Sequence, residues 1–145
     1  MDPKLDAALK STWPGAATRF LALRLLPGAD LRQALEQAFA AEREHAGFIV
    51  ACVGSLSKVS LRPAGLDSPL ALEVTLEIVS LSGTFSEHGP HLHIAVSDSS
   101  GAMLGGHLLE GSLVRTTVEV VIGLAPVHFR RMIDPRTGYP ELQFD

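Results

Sequence analysis

The chain carries one cysteine, Cys52, in 145 residues. That excludes an internal disulfide, and without a Cys-x-x-Cys there is neither a zinc ribbon nor a dithiol redox pair. Any metal must therefore be held by His, Asp or Glu. Charge is also scarce: 19% of the chain is charged and 46% hydrophobic, against roughly 25% charged in an average soluble domain. The shortfall suits either subunit contacts that replace charged surface or a well-buried monomer. Sixteen acidic residues outnumber twelve basic ones, for a net charge of −4. Arg130 and Arg131 form the one adjacent basic pair, so the concentrated positive charge that phosphate binding needs is missing. No apolar run approaches the roughly 18 residues of a membrane span, and acidic residues stand near the start where a signal peptide would be basic and then apolar. The expectation is a cytoplasmic chain with no membrane attachment. No Gly-rich phosphate loop lies between a strand and a helix, which leaves nucleotide hydrolysis unsupported.

What is present is one domain's worth of patterned sequence. A chain of this length can bury roughly 70% of its unfolded surface in one core. Residues 1–18 are polar, contain proline and lack periodicity, and read as a flexible lead-in. The apolar run 20–26, closed by Pro27 and Gly28, suits a buried strand and turn. Asp30 offers an N-cap with Gln33 at the capping-box position, and Leu31, Ala34, Leu35, Ala38 and Phe39 recur at helical spacing, so a helix is expected over 31–45. His45 then falls in the last turn, where the helix dipole favours a cation, and Gly47 provides the left-handed stop. Residues 47–56 are apolar on both faces, as in a strand covered on both sides, and Cys52 in that setting reads as an inert core thiol. Further strands are expected at 57–62, 71–82, 91–98, 113–124 and 127–133, with loops at 63–69, 83–90 and 98–106. Many strands and one helix make an α+β domain.

The most informative segment holds three histidines. In a strand beginning near His91, Leu92, Ile94 and Val96 point to one face and His91, His93, Ala95 and Ser97 to the other. Alternate residues lie about 6.5–7 Å apart, and two imidazoles can lean together to reach one ion at about 2.0–2.1 Å. His107 follows Gly105 and Gly106, whose missing side chains permit a tight turn or a close approach, and a hairpin can return it beside the pair. Three His ligands with an open position suit Zn²⁺ or another divalent first-row ion; solvated imidazoles on an exposed strand face are the alternative. His88, beside Gly89 and Pro90, reads as a turn residue. Glu110 is either a fourth ligand or partner of an imidazole, or a solvated turn carboxylate. Glu77 shares a face with Glu73, Thr75, Val79 and Leu81, either as a buried functional acid, as an interface partner or on an exposed edge. His128 and Asp134 belong to no Ser/His/Asp arrangement.

Residues 19–31, residues 47–56 ending Val53-Gly54-Ser55-Leu56, residues 76–83, His91-Leu92-His93 and Gly105-Gly106-His107-Leu108 together resemble the plant and prokaryote conserved (PPC) domain over roughly residues 19–133. A cupin barrel also uses His-x-His, but it expects a Glu where Ser97 stands. The PPC resemblance implies a compact α+β fold with a strongly bent, mainly antiparallel sheet packed with a helix, and a homotrimer. It also implies a metal site on His91, His93 and His107. Residues 134–145 are then a C-terminal turn and extended tail. Plant members accompany AT-hook segments in transcriptional regulation, and bacterial members carry a DNA-binding label by that association. This chain has no Arg-Gly-Arg core to enter an A·T minor groove and is net negative, which argues against direct DNA binding. Two functions follow as expectations. One is a trimeric, metal-binding, DNA-associated regulatory or scaffold module without its own AT-hook, for which protein partners are one route to DNA. The other is a metal-dependent enzyme or small-ligand binder on the three histidines, with Glu77 or Glu110 as general base.

Overall fold

The computed structural model describes residues 7–144. In chain order it contains a 3-10 turn (Gly15–Ala17), β1 (Arg19–Leu25), α1 (Leu31–Ala40), β2 (Ala46–Arg62), β3 (Leu70–Leu72), β4 (Leu76–Ser86), β5 (Gly89–Ser97), β6 (Met103–Leu108), β7 (Leu113–Ala125), β8 (Phe129–Ile133) and β9 (Pro140–Phe144). The result is a mostly antiparallel sheet with one α-helix. No helix among the described residues is long and apolar enough to cross a membrane.

β2 organises the sheet. Its 17 residues pair with β4 along one edge, and with β7 and then β6 along the other. Three register shifts against β7 interrupt the ladder, between Ile49 and Ala51, Gly54 and Leu56, and Leu56 and Lys58. The first and third set one extra β2 residue, Val50 and Ser57, against β7, and such a bulge bends the strand and increases its twist. The bent strand thereby carries Leu61 and Arg62 round to Leu108 and His107 of β6, closing the circuit β2-β4-β5-β6-β2. β7 and β1 extend the sheet outward, giving the order β1-β7-β2-β4-β5-β6.

α1 begins where the sequence signals it. The Asp30 carboxylate accepts a bond from the Gln33 N–H at 3.1 Å and another from the Gly111 N–H at 2.7 Å, tying the helix start to the turn before β7. Leu31, Leu35 and Phe39 then enter the core with Ile78, Leu81, Phe85, Leu92, Ile94 and Val96. Burying each Leu contributes about 1.5–3 kcal/mol. A second cluster joins Ala46, Ala125 and Phe129 to Trp13, Phe48, Leu142 and Phe144 beneath the β8–β9 hairpin. Within the expected lead-in, Trp13 packs there and donates its indole N–H to Thr18 at 2.9 Å; residues 1–6 lie outside the described residues. Over the expected tail, Asp134 closes a turn on Arg136 and β9 pairs back onto β8.

Several expectations need correction. The helix ends at Ala40, not 45. Arg19 donates to both Glu44 oxygens (2.8 and 2.7 Å) and to Glu42 (2.8 Å), and residues two apart on a helix face different sides, so one guanidinium could not hold both carboxylates if the helix continued. His45 is therefore not in a last helical turn, and Gly47 is not its stop. Gly47 lies in β2, where a side chain would meet the Phe39 ring 2.9 Å away. Residues 47–56 and 57–62 form one strand rather than two. The expected strand 71–82 is split, because four steps from Leu72 to Leu76 oppose three from Val59 to Leu56, and the ladder breaks over 73–75. The loop expected at 83–90 shrinks to Glu87 and His88. Ser86 Oγ accepts from the His88 N–H at 3.1 Å and lets both strands run up to the turn. The loop at 98–106 is likewise short: Asp98 accepts from the N–H groups of Ser100 and Ala102, and β6 starts at Met103.

Candidate metal centre

β5 supplies two of the three imidazoles. Leu92, Ile94 and Val96 are buried at 3%, 2% and 0% exposure, which fixes the strand's core face and turns His91 and His93 outward. β6 supplies the third, because His107 is the direct cross-strand partner of His93. Ring centroids are 5.1 Å apart for His91 and His93, 5.2 Å for His91 and His107, and 4.5 Å for His93 and His107. One nitrogen from each ring lies within 4.8 Å of the others. Two nitrogens on one ion at about 2.1 Å are at most about 4.2 Å apart, so small ring rotations bring the three to a common point.

Gly105 and Gly106 do not form a turn; they lie inside β6. A Cβ at Gly105 would stand 2.6 Å from the Ile94 carbonyl of β5, and one at Gly106 would collide with the Arg62 carbonyl of β2. The two glycines let β6 fit between its neighbours, and that fit places His107 opposite His93.

Arginines surround the cluster, and sequence reading did not find them. Arg62 is the cross-strand partner of His107. Arg131 of β8 reaches across to donate to Thr84 Oγ1 at 2.8 Å, and Thr84 is the partner of His91. Arg32 of α1 donates to the Leu108 carbonyl at 2.9 Å. Burial first, then the positive charge of Arg131 and the neighbouring imidazoles, pushes the His91 pKa down to about 4. His107 is lowered too, by burial, then His93, Arg62 and Arg32. A ligating imidazole must be neutral, and this surrounding favours the neutral form of His91 and His107. The donor set therefore fits a divalent transition ion. The only sequence signal for the arginines was the Arg130-Arg131 pair, which says nothing about where either side chain lands.

The other expected residues stand apart. Glu77 pairs with Ser97, four residues along β5 from His93, or about 13 Å. It is exposed and does not share a face with Leu81: Ile78 opposes Val96 and Ser80 opposes Ala95, so Val79 is a bulged extra residue and the alternation restarts, burying Leu81. Glu110 is exposed in the turn between β6 and β7 and contributes no oxygen to the cluster. His88 is a turn residue whose Nδ1 accepts from the Arg131 N–H at 3.1 Å.

A bent, partly closed antiparallel sheet with one helix and three outward imidazoles on adjacent strands defines a small sheet-dominated domain with a candidate metal-ligand set on its surface. Residues 14–126 match the Plants and Prokaryotes Conserved (PCC) domain, and the chain belongs to that family. A hypothetical protein from Salmonella enterica is 45% identical with a TM-score of 0.86, over 88% of this chain and 94% of that one. A Ralstonia eutropha protein proposed to bind DNA has 25% identity and a TM-score of 0.73, over 86% and 90%. The metal-containing protein from Archaeoglobus fulgidus has 27% identity and a TM-score of 0.68, over 86% and 93%. The chain spans 21% of the length of the curated relatives it matches, bifunctional GlmU proteins of two Synechococcus strains, at 44% and 43% identity.

Proposed function

We propose that this chain is a metal-binding member of its family, holding one divalent transition ion, Zn²⁺ by preference, on His91, His93 and His107. It works as a three-copy regulatory or scaffold module whose association with DNA runs through protein partners. The observation that carries the metal reading is the convergence of three imidazoles from β5 and β6, with no carboxylate oxygen in the cluster among the described residues. Three neutral nitrogens and one open position suit Zn²⁺, and the metal-containing Archaeoglobus relative supports the reading. The assembly reading rests on the family resemblance and on an open groove of about 490 Å³ between β1, β2 and β7, lined by Ala22, Leu23, Cys52, Val53, Val120 and Val121. Val53 on its rim is 57% exposed. A second copy of the chain would cover this surface. The net charge of −4 disfavours direct phosphate contact.

The test is elemental analysis of chelator-free protein with light scattering. The expected result is close to one transition ion per chain at trimer mass, with the ion lost in His91→Ala/His93→Ala. A metal-free protein even after loading, or a monomer at micromolar concentration, would overturn the corresponding half.

A second reading, a small-ligand binder or metal-dependent enzyme, is favoured by Arg62 and Arg131 beside the three imidazoles. Their charge suits a carboxylate or phosphate ligand on the ion. Anion-dependent changes in the visible spectrum of the Co²⁺-loaded protein, abolished in Arg62→Gln/Arg131→Gln, would support it.

A further inference from the structure

Three further donor groups meet where the β8–β9 hairpin joins the main sheet. His45 precedes β2, Glu87 sits in the β4–β5 turn, and His128 precedes β8. The backbone fixes this meeting: His45 and His128 form a parallel bridge, and the Phe129 N–H donates to the His45 carbonyl at 3.2 Å. The two imidazoles stack with centroids 4.7 Å apart and planes 20° from parallel. His128 Nε2 lies 3.0 Å from Glu87 Oε1. One donor atom from each of the three residues lies within 4.8 Å of the others.

We propose that His45, Glu87 and His128 form a second divalent-metal site, separate from the three-histidine cluster, in which one ion pins the β8–β9 hairpin to the β2 and β4–β5 ends of the sheet. Two imidazoles and one carboxylate supply three ligands of a kind that first-row ions accept, and water completes the shell. Protonation is the competing way to satisfy the same groups, since a His128 imidazolium could donate to Glu87. Protonating both stacked rings, however, places two like charges about 5 Å apart. A single divalent ion uses a lone pair on each ring and on the carboxylate at once. A cavity of about 290 Å³ opens beside the site, with Glu36, Glu42, Glu44, Glu87 and His45 among its lining residues. Arg19 engages Glu42 and Glu44, and the remaining acidic lining still favours a cation over an anion. The Glu87 carboxyl is held below the ordinary carboxylate range by the His128 contact first, then by its charge and those of His88 and His45.

The position gives the ion leverage. β8 also carries Arg131, which reaches Thr84 beside His91 and whose backbone N–H binds His88. Fixing the start of β8 restrains the guanidinium that stands over the first cluster. The occupancy of the second site does not depend on the first cluster holding a metal.

The test uses the full chain, stripped of metal, carrying His91→Ala/His93→Ala so that only the second site is read. Calorimetric titration with Zn²⁺ should show one equivalent binding with a Kd below about 100 µM. Adding His128→Ala should abolish it. Glu87→Gln, an exposed turn substitution that leaves the fold intact by circular dichroism, should weaken it at least about tenfold. In the same His91→Ala/His93→Ala chain, substoichiometric Co²⁺ should shift or broaden the ring resonances of His45 and His128. No Zn²⁺ binding by the double variant, binding indifferent to Glu87→Gln, or Co²⁺ that leaves both rings unperturbed would overturn the site and leave a His128–Glu87 ion pair.

Discussion

His93 and His107 face each other across β5 and β6 with ring centroids 4.5 Å apart, and the spacing depends on a residue that has no side chain. Gly106 lets β6 press against the Arg62 carbonyl of β2 while still pairing with β5. Gly106→Ala keeps an allowed backbone but forces β6 away from β2. Overpacking of this kind costs about 1–3 kcal/mol. Urea unfolding should show that loss, and metal titration should show weaker binding than the stability change alone explains, because His107 moves with the strand.

The metal-free protein should show an acid-sensitive His91. Its folded pKa of about 4 lies below the ordinary 6.5, so between those values the unfolded chain binds more protons than the folded one. The stabilisation is complete above about pH 6.5 and is lost as pH falls through 4. A proton NMR titration should place the His91 midpoint near 4. Arg131→Gln, which removes both a positive charge and part of the cover, should raise it.

Asp30 joins two elements through one carboxylate. Asp30→Ala removes the helix cap and the bond from Gly111, an expected loss of about 1–2 kcal/mol. Asp30→Asn should restore only one of the two bonds, because its amide has a single acceptor oxygen and its NH2 faces the other N–H. Denaturant midpoints with unchanged slopes would check both.

Cys52 should resist thiol reagents. Burial pushes its pKa up to about 11, so at pH 8 only about one thiol in a thousand is ionised. Reaction with a disulfide reagent should be slow in the native protein and complete after denaturation. Because Cys52 lines the groove, native reactivity should fall further as protein concentration rises if that groove is the proposed subunit contact.

The sequence by itself determined features that depend on neighbours in the chain. The two-residue period of a strand puts His91 and His93 on one face once Leu92, Ile94 and Val96 seek the core, and Asp30 caps its helix through an N–H three residues away. The tertiary structure decided whatever needed two distant segments to meet. α1 stops at Ala40, and just beyond it Glu42 and Glu44 meet Arg19, 23 and 25 residues away along the chain. The bulge at Val79 reverses the facing of Leu81, and local alternation cannot reveal an extra residue that exists only relative to β5. The Gly105-Gly106 pair suggested a turn or a close approach, and only the neighbouring β2 and β5 backbones select the second. Arg131 over His91, and His45 against His128, arise from long-range pairing, where contact is set by the closed sheet and not by spacing along the chain.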